Sequence, residues 1–196
     1  MYAATGQPQT KTESTMLFTY QTSRLILSVL NEDHADSVKQ FYEENYPFFA
    51  PYEPAYPENF FTTEYQKFLL GAQLKQFLHS EALRYYMYEK TNAKRIIGCV
   101  AFSNIRLGNE RSCSISYKLA GTMQQKGYAL EAARFLLQLV SIEFSMHRVE
   151  ADILPYNLRS IHLAERLGFS FEGIAKSSHL IQGVWKDHAR YALILE

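Results

Sequence analysis

Chemistry is most legible in the stretch QQKGYA, Gln124–Ala129, at the head of the apolar run MQQKGYALEAARFLLQLV, Met123–Val140. A helix that follows a strand presents unpaired backbone N–H groups and a partial positive charge at its first turn, which suits a phosphate. Gly127 lets the backbone approach a ligand without a Cβ, Lys126 adds charge, and Ala129 keeps the first turn small. Two readings follow: a phosphate cradle, in which Gln124, Gln125, Lys126, Gly127, Tyr128 and Ala129 all take part, or a turn merely relieved by glycine. The stretch is neither GxxxxGK[ST] nor GxGxxG, so nucleotide hydrolysis and hydride transfer lose their usual signatures.

Other chemistry-bearing side chains are scattered. In PYNLRS, Asn157 is a candidate N-cap, with Ser160 in the first turn of a short helix. In KSSHLIQG, His179 could accept a proton near neutral pH, or be a partly exposed strand histidine. In APYEP, the Glu53 carboxylate could bind an incoming ammonium or take its proton, or make a turn contact. Around it Phe48, Phe49, Tyr52 and Tyr56 could wall a slot or anchor the loop, and Asn104 and Trp185 are further wall candidates, with strand packing as the tryptophan's default. Asp187 reads as a brace for the last strand. His34, His79, His147, His162 and His188 have no metal spacing with carboxylates or cysteines, so no metal is expected.

The elements that must position these groups follow from periodicity. SRLILSVL, Ser23–Leu30, reads as a first strand, and helical spacing begins near Asp33. PFFAPYEPAYPENFF, with four prolines and six aromatics, reads as a structured loop without regular structure, before a second helix in TTEYQKFLLGAQLKQFLHSE. Strands follow in ALRYYMYE, RIIGCVAFSNI and RSCSISYKL. The apolar helix carries a polar stripe at Glu131, Arg134, Gln138, Ser141 and Ser145. RVEADIL alternates as a strand, a short helix ends at Gly168, and strands around FSFEGIAKSS and VWKDHARYALIL close the chain. The order predicts an α/β fold with seven strands in one mixed sheet and helices on both faces.

At 196 residues the chain fits one domain, expected at 21–196 behind a flexible tail at 1–20. Lysine plus arginine (20) equals aspartate plus glutamate (20), which offers no sequence-independent grip on nucleic acid. Neither a leader nor a membrane span is apparent, so a cytoplasmic protein is expected. Cys99 and Cys113 read as buried free thiols, with a cross-strand disulfide as the alternative.

Gln124, Gly127 and Ala129 match the [RQ]xxGx[GA] pyrophosphate loop, and the sequence from about Thr22 onward resembles the GNAT acetyltransferases. FFAPYEP, IIGCVAFSNI, HRVEADILPYNLRS, ERLGFSFEGIAK and GVWKDH are most similar to the ribosomal-protein N-terminal acetyltransferases. The resemblance implies a mostly antiparallel seven-stranded sheet, splayed between the strands ending near Leu119 and Leu154. The pantetheine arm of acetyl-CoA would pair with backbone at Tyr117, Lys118 and Leu119, its pyrophosphate would rest on Gln124–Ala129, and Asn157 would bind the arm. Ser160 would stand near the sulfur, an N–H near Ser116 or Tyr117 would hold the oxyanion, and Tyr156 is an alternative acid. His179 aligns with a glutamate that serves as base in serine-specific relatives, with Glu53 as its rival. Phe49, Tyr52, Glu53, Asn104 and Trp185 would meet the acceptor. The implied activity is acetyl transfer to a protein N-terminal amine by a monomer or homodimer, without nucleic acid, membrane or metal. A small-molecule amine acetyltransferase and a CoA-binding docking module are the alternatives.

Overall fold

The computed structural model describes residues 16–195. Among the described residues eight strands form one sheet: β1 (Thr19–Gln21), β2 (Leu25–Ser28), β3 (Leu83–Glu89), β4 (Gly98–Arg106), β5 (Ser112–Leu119), β6 (Arg148–Ile153), β7 (Ser170–Ile181) and β8 (Val184–Ile194). Their spatial order is β1-β2-β3-β4-β5-β6-β8-β7, and β5 with β6 is the parallel pair among antiparallel neighbours. Four α-helices accompany them among the described residues: α1 (Ala35–Phe49), α2 (Thr63–Leu78), α3 (Tyr128–Phe144) and α4 (Leu158–Leu167).

Side chains alternate across the sheet and so divide the core in two. On one face Leu27, Met87, Val100, Cys113, Val149 and Ala151 pack with Ala132, Leu136 and Val140 of α3 and Ala164 of α4. On the other, Tyr86, Tyr88 and Cys99 meet Val38, Phe41 and Tyr42 of α1 and Leu70 of α2. Cys99 and Cys113 therefore belong to opposite faces and are free thiols, which removes the disulfide alternative. Burial pushes the Cys113 thiol up to about 12, so it stays protonated and unreactive.

The sheet has one strand more than the seven expected. β1 is a three-residue edge strand paired with β2 as a hairpin, too short to show an alternating pattern. The expected tail boundary at residue 20 falls inside it, and the expectation for residues 1–15 lies outside the described residues. The proline-rich loop is also shorter than read. α1 continues through Pro47 to Phe49, because a proline near a helix end forfeits one backbone bond while Phe49 is buried against Phe41 and Tyr42. A 3₁₀ turn, Ala50–Tyr52, then leads into the loop. The apolar helix begins at Tyr128, five residues later than its sequence suggests, leaving QQKG outside it as connecting backbone. Among the described residues no helix is long and apolar enough to cross a membrane.

Candidate active site

β5 and β6 pair only over Ser112–Ser114 and Arg148–Glu150, although β5 runs on to Leu119 and β6 to Ile153. Beyond that point the two strands part, and the opening between them is a cleft of about 290 Å³. Ile115–Lys118 of β5, Ala151–Leu154 along β6, Asn157 and Ser160 of the α4 start, Tyr52–Pro54 and His188 line it.

From the opening the chain runs on through the end of β5 at Leu119 and a 3₁₀ turn, Gly121–Met123, into the loop before α3. Gln124 is extended, Gln125 is left-handed (φ 62°), and Gly127, the N-cap of α3, is left-handed again (φ 80°). Left-handed residues on either side of Lys126 fold the chain tightly just ahead of the first-turn N–H groups of α3, the end of a helix that favours an anion. The first backbone bond of the helix is Glu131 N–H to the Gly127 carbonyl at 3.0 Å, and among the described residues the N–H groups of Gln124 to Ala129 have no acceptor. The loop is braced from behind by Arg24, whose Nη1 donates to the Lys126 carbonyl at 2.9 Å and whose Nε donates to Glu131 at 2.7 Å. Thr22 Oγ1 also donates to Glu131, at 2.6 Å, and the Arg24 guanidinium lies 4.6 Å from the Tyr128 ring centre. Burial alone would raise the Glu131 carboxyl, but these hydrogen bonds and the Arg24 charge hold it below the usual range. Arg159, at the start of α4, donates to the Gln124 side chain and adds a cation to the rim.

Midway along the cleft, Asn157 caps α4 by accepting from Ser160 N–H at 3.2 Å, as its position in PYNLRS predicts. Ser160 Oγ donates to the Tyr117 hydroxyl at 3.1 Å, and that hydroxyl donates to the Ser160 carbonyl at 3.0 Å. Burial, only partly opposed by the bond from Ser160, pushes the Tyr117 phenol up to about 12. It therefore remains a proton donor at every physiological pH. Sequence reasoning assigned Tyr117 through its backbone; the side chain points to the α4 face and forms this linked hydroxyl pair.

Lys118, the next residue along β5, points to the opposite face. Its ammonium is 2.8 Å from Glu53 Oε1 and 2.9 Å from Oε2, and 5.2 Å from the centre of the Tyr42 ring. Tyr56 donates to the same carboxylate, and proximity to Glu53, after burial, raises its phenol well above the usual value. The turn that carries Glu53 is fixed from two further directions. Gln182, at the tip of the β7-β8 hairpin, donates to the carbonyls of Ala50 and Glu53 at 3.1 Å each, and Tyr156 donates to the Pro51 carbonyl at 3.2 Å.

Four expected contacts are placed elsewhere. Phe49 is buried in the α1 core, Asn104 bonds to Ser114 at 3.3 Å on the exposed end of β4, and Trp185 is 62 % exposed on the hairpin. His179 is exposed on β7 and does not line the cleft; its ring centre is 4.2 Å from that of His188, which does. Asp187 braces the strand as expected, accepting from Lys176 at 2.7 Å and from Ser177 N–H at 2.9 Å. Among the described residues no three His, Cys, Asp or Glu side chains cluster as metal ligands. The arrangement can thus hold a phosphate at the loop, pass a thin chain along the splay, and bring a thioester beside paired hydroxyls.

The family model described as Acetyltransferase (GNAT) domain matches residues 24–170. The [ribosomal protein uS5]-alanine N-acetyltransferase of Escherichia coli strain K12 is 32 % identical over 172 residues, covering 88 % of each chain. The probable N-acetyltransferase YjcK of Bacillus subtilis is 30 % identical over 151 residues, 77 % of this chain and 83 % of its own. Among solved structures, the ribosomal-protein-S5-alanine acetyltransferase of Vibrio fischeri superposes with a TM-score of 0.84 at 27 % identity, over 90 % of this chain and 96 % of that one. Fold, splayed cleft and sequence agree: the chain belongs to the GNAT family and is an N-acetyltransferase.

Proposed function

We propose that the protein transfers the acetyl group of acetyl-CoA to the N-terminal α-amine of a protein, by direct attack in a ternary complex. The observation that carries the reading is the pairing of a cleft lined by the Tyr117–Ser160 hydroxyls with the acceptor-free N–H groups of Gln124–Ala129, the two linked by the bond from Arg159, beside Ser160, to Gln124. Acetyl-CoA needs a cationic or N–H-rich seat for its pyrophosphate and a donor beside its sulfur, and these residues are of the right chemistry for both. The relatives named for alanine N-acetylation support a protein N-terminus as acceptor, and the buried free thiols fit a reducing cytoplasm.

The amine must attack as a neutral nucleophile, while charge develops on the carbonyl oxygen and then on the departing sulfur. Backbone N–H groups of β5 beyond Ser114, released from β6 by the splay, suit the oxyanion. The Ser160 hydroxyl, by turning about its Cβ–Oγ bond away from the Tyr117 oxygen, can donate to the thiolate while Tyr117 stays bonded to the Ser160 carbonyl. Glu53 is neutralised by Lys118, so the mouth offers no excess negative charge for a polycationic acceptor such as a polyamine or aminoglycoside.

Intact-mass assays with acetyl-CoA and a panel of alanine- and serine-started peptides, polyamines and aminoglycosides test the reading. Peptide acetylation at the α-amine is expected. Turnover of small amines alone would replace the protein acceptor with a small-molecule one, and CoA binding without turnover of any amine would leave a docking module. Ser160→Ala is expected to slow turnover about tenfold, one hydrogen bond's worth of about 1.4 kcal/mol, with little change in the KM for acetyl-CoA. Steady-state kinetics check it, and an unchanged kcat would leave Ser160 a first-turn residue whose N–H is capped by Asn157.

A further inference from the structure

His188, the histidine that lines the cleft, is only 4 % exposed, and neither the cofactor seat nor the Tyr117–Ser160 pair uses it. It follows Asp187 on β8 and points to the α1-α2 side of the sheet, the side of Lys118 and Glu53. Its Nδ1 lies 3.3 Å from the Lys186 carbonyl and 3.3 Å from Ser178 Oγ. Ser178 Oγ in turn lies 3.0 Å from Nδ1 of His179, which is exposed. Nε2 of His188 has no hydrogen bond among the described residues, yet no fully enclosed polar side-chain atom is left unpartnered, so Nε2 opens onto the cleft.

Resting on acetyl transfer to an amine in this cleft, we infer that His188 is the proton acceptor for the incoming ammonium and that Ser178 and His179 form a relay from it to solvent. With Nδ1–H directed at Ser178 and the Ser178 O–H directed at His179, Nε2 carries the lone pair. An N–H bond of the ammonium breaks as Nε2 takes the proton. The Nδ1 proton passes to Ser178 Oγ, the Ser178 proton to Nδ1 of His179, and His179 releases a proton to water from its other nitrogen; once product leaves, exchange with water returns both rings to their starting tautomers. The neutral amine then attacks the thioester carbonyl, and its next proton accompanies the thiolate as thiol, which balances the reaction.

The electrostatics suit a base that is neutral at rest. Burial first, and then the adjacent His179, lower the proton affinity of His188, while Asp152 on β6 and Asp187 on β8 oppose them. The other charges nearby are compensated: Lys118 pairs with Glu53 across the same cleft, Lys176 pairs with Asp187, and Arg190 approaches Asp152 at 3.7 Å. Lys186, on β8 beside it, offers Nδ1 its carbonyl. Protonated His188 cannot accept, so kcat/KM should fall as pH drops through a value below the ordinary histidine pKa of about 6.5.

The test is the pH profile with any amine the enzyme turns over. His188→Gln should lose about 100-fold in kcat/KM at neutral pH, together with the acid-side inflection, and its rate should climb toward the pKa of the amine itself. Ser178→Ala and His179→Ala should keep the inflection and lose kcat at low buffer, with recovery on adding imidazole. Histidine ring NMR of the wild-type protein reads the same group without an acceptor: His188 should titrate below an ordinary histidine and shift in Ser178→Ala. An acid limb that persists in His188→Gln would overturn the assignment. So would a His188 ring that takes up no proton between about pH 4 and about pH 8. Absence of turnover with every amine would overturn the acetyl-transfer reading instead, leaving the NMR titration to decide the histidine.

Discussion

Glu53→Ala is expected to lower stability by about 2–3 kcal/mol, or about 5–10 °C in Tm, and to raise the acceptor KM about tenfold or more while kcat stays within about threefold. The reason is the burial of the pair. The Glu53 and Lys118 side chains are only 15 % and 22 % exposed, so removing the carboxylate leaves a largely enclosed ammonium whose remaining partner is the face of Tyr42. Tyr56 loses its acceptor in the same step, and the turn held by Gln182 and Tyr156 loses its third tether. Replacing both partners separates strut from substrate contact, because an apolar pair of similar volume relieves the stranded charge. The Glu53→Met, Lys118→Met double variant is expected to recover most of the melting temperature and to retain the raised acceptor KM. Calorimetry and acceptor kinetics on both variants beside the wild type check this. If the double variant regained both properties, Glu53 would be a strut alone; a single variant with unchanged Tm would remove the buried-pair argument.

That pair also shows where legibility ends. Asn157 and Gly168 could be placed from sequence because a helix cap is decided within a few residues, and both cap α4 as expected. In the loop before α3 Gly127 was legible for the same reason, since left-handed backbone announces itself through glycine, whereas Gln125 is left-handed with nothing in its residue type to say so. Lys118 and Glu53 lie 65 residues apart, and Arg24 and Glu131 lie 107 apart, so only the assembled sheet brings them together. His188 was passed over for a related cause. VWKDHARY marks a strand, but which of its faces meets the cleft depends on the β6-β8 register, Asp152 opposite Arg190 and Ile153 opposite Ala189. His179 was singled out by spacing, and the bulge between Ala175 and His179 leaves it on the exposed side, next to the histidine that reaches the cleft. β1 offered three residues and no alternation, and Pro47 read as a breaker because the burial of Phe49 that offsets it is a tertiary fact.

For the cofactor loop, the largest expected loss comes from Gly127→Val, about 100-fold in Kd for acetyl-CoA, equivalent to about 2.7 kcal/mol. Space is not the obstacle, since a Cβ at Gly127 would meet only Arg24 Nη2, at 3.4 Å. The obstacle is the left-handed backbone, φ 80° and ψ 5°, which is unfavourable for residues with a side chain by about 1–2 kcal/mol and worse for a β-branched one. Valine would relax toward negative φ and turn the N–H groups of Gly127 and Tyr128 away from the anion-favouring end of α3. Helix α3 itself should survive, because Ala132, Leu136 and Val140 hold it against the sheet independently of the loop. The backbone explanation therefore predicts an order: Gly127→Asn close to wild type, because asparagine tolerates this conformation, Gly127→Ala intermediate, and Gly127→Val worst. A ligand-contact explanation predicts that alanine, the smallest addition, is the mildest and asparagine considerably worse. Isothermal calorimetry with acetyl-CoA, beside a thermal melt of each variant, distinguishes them, and a fall in Tm with unchanged Kd would make the segment an ordinary turn.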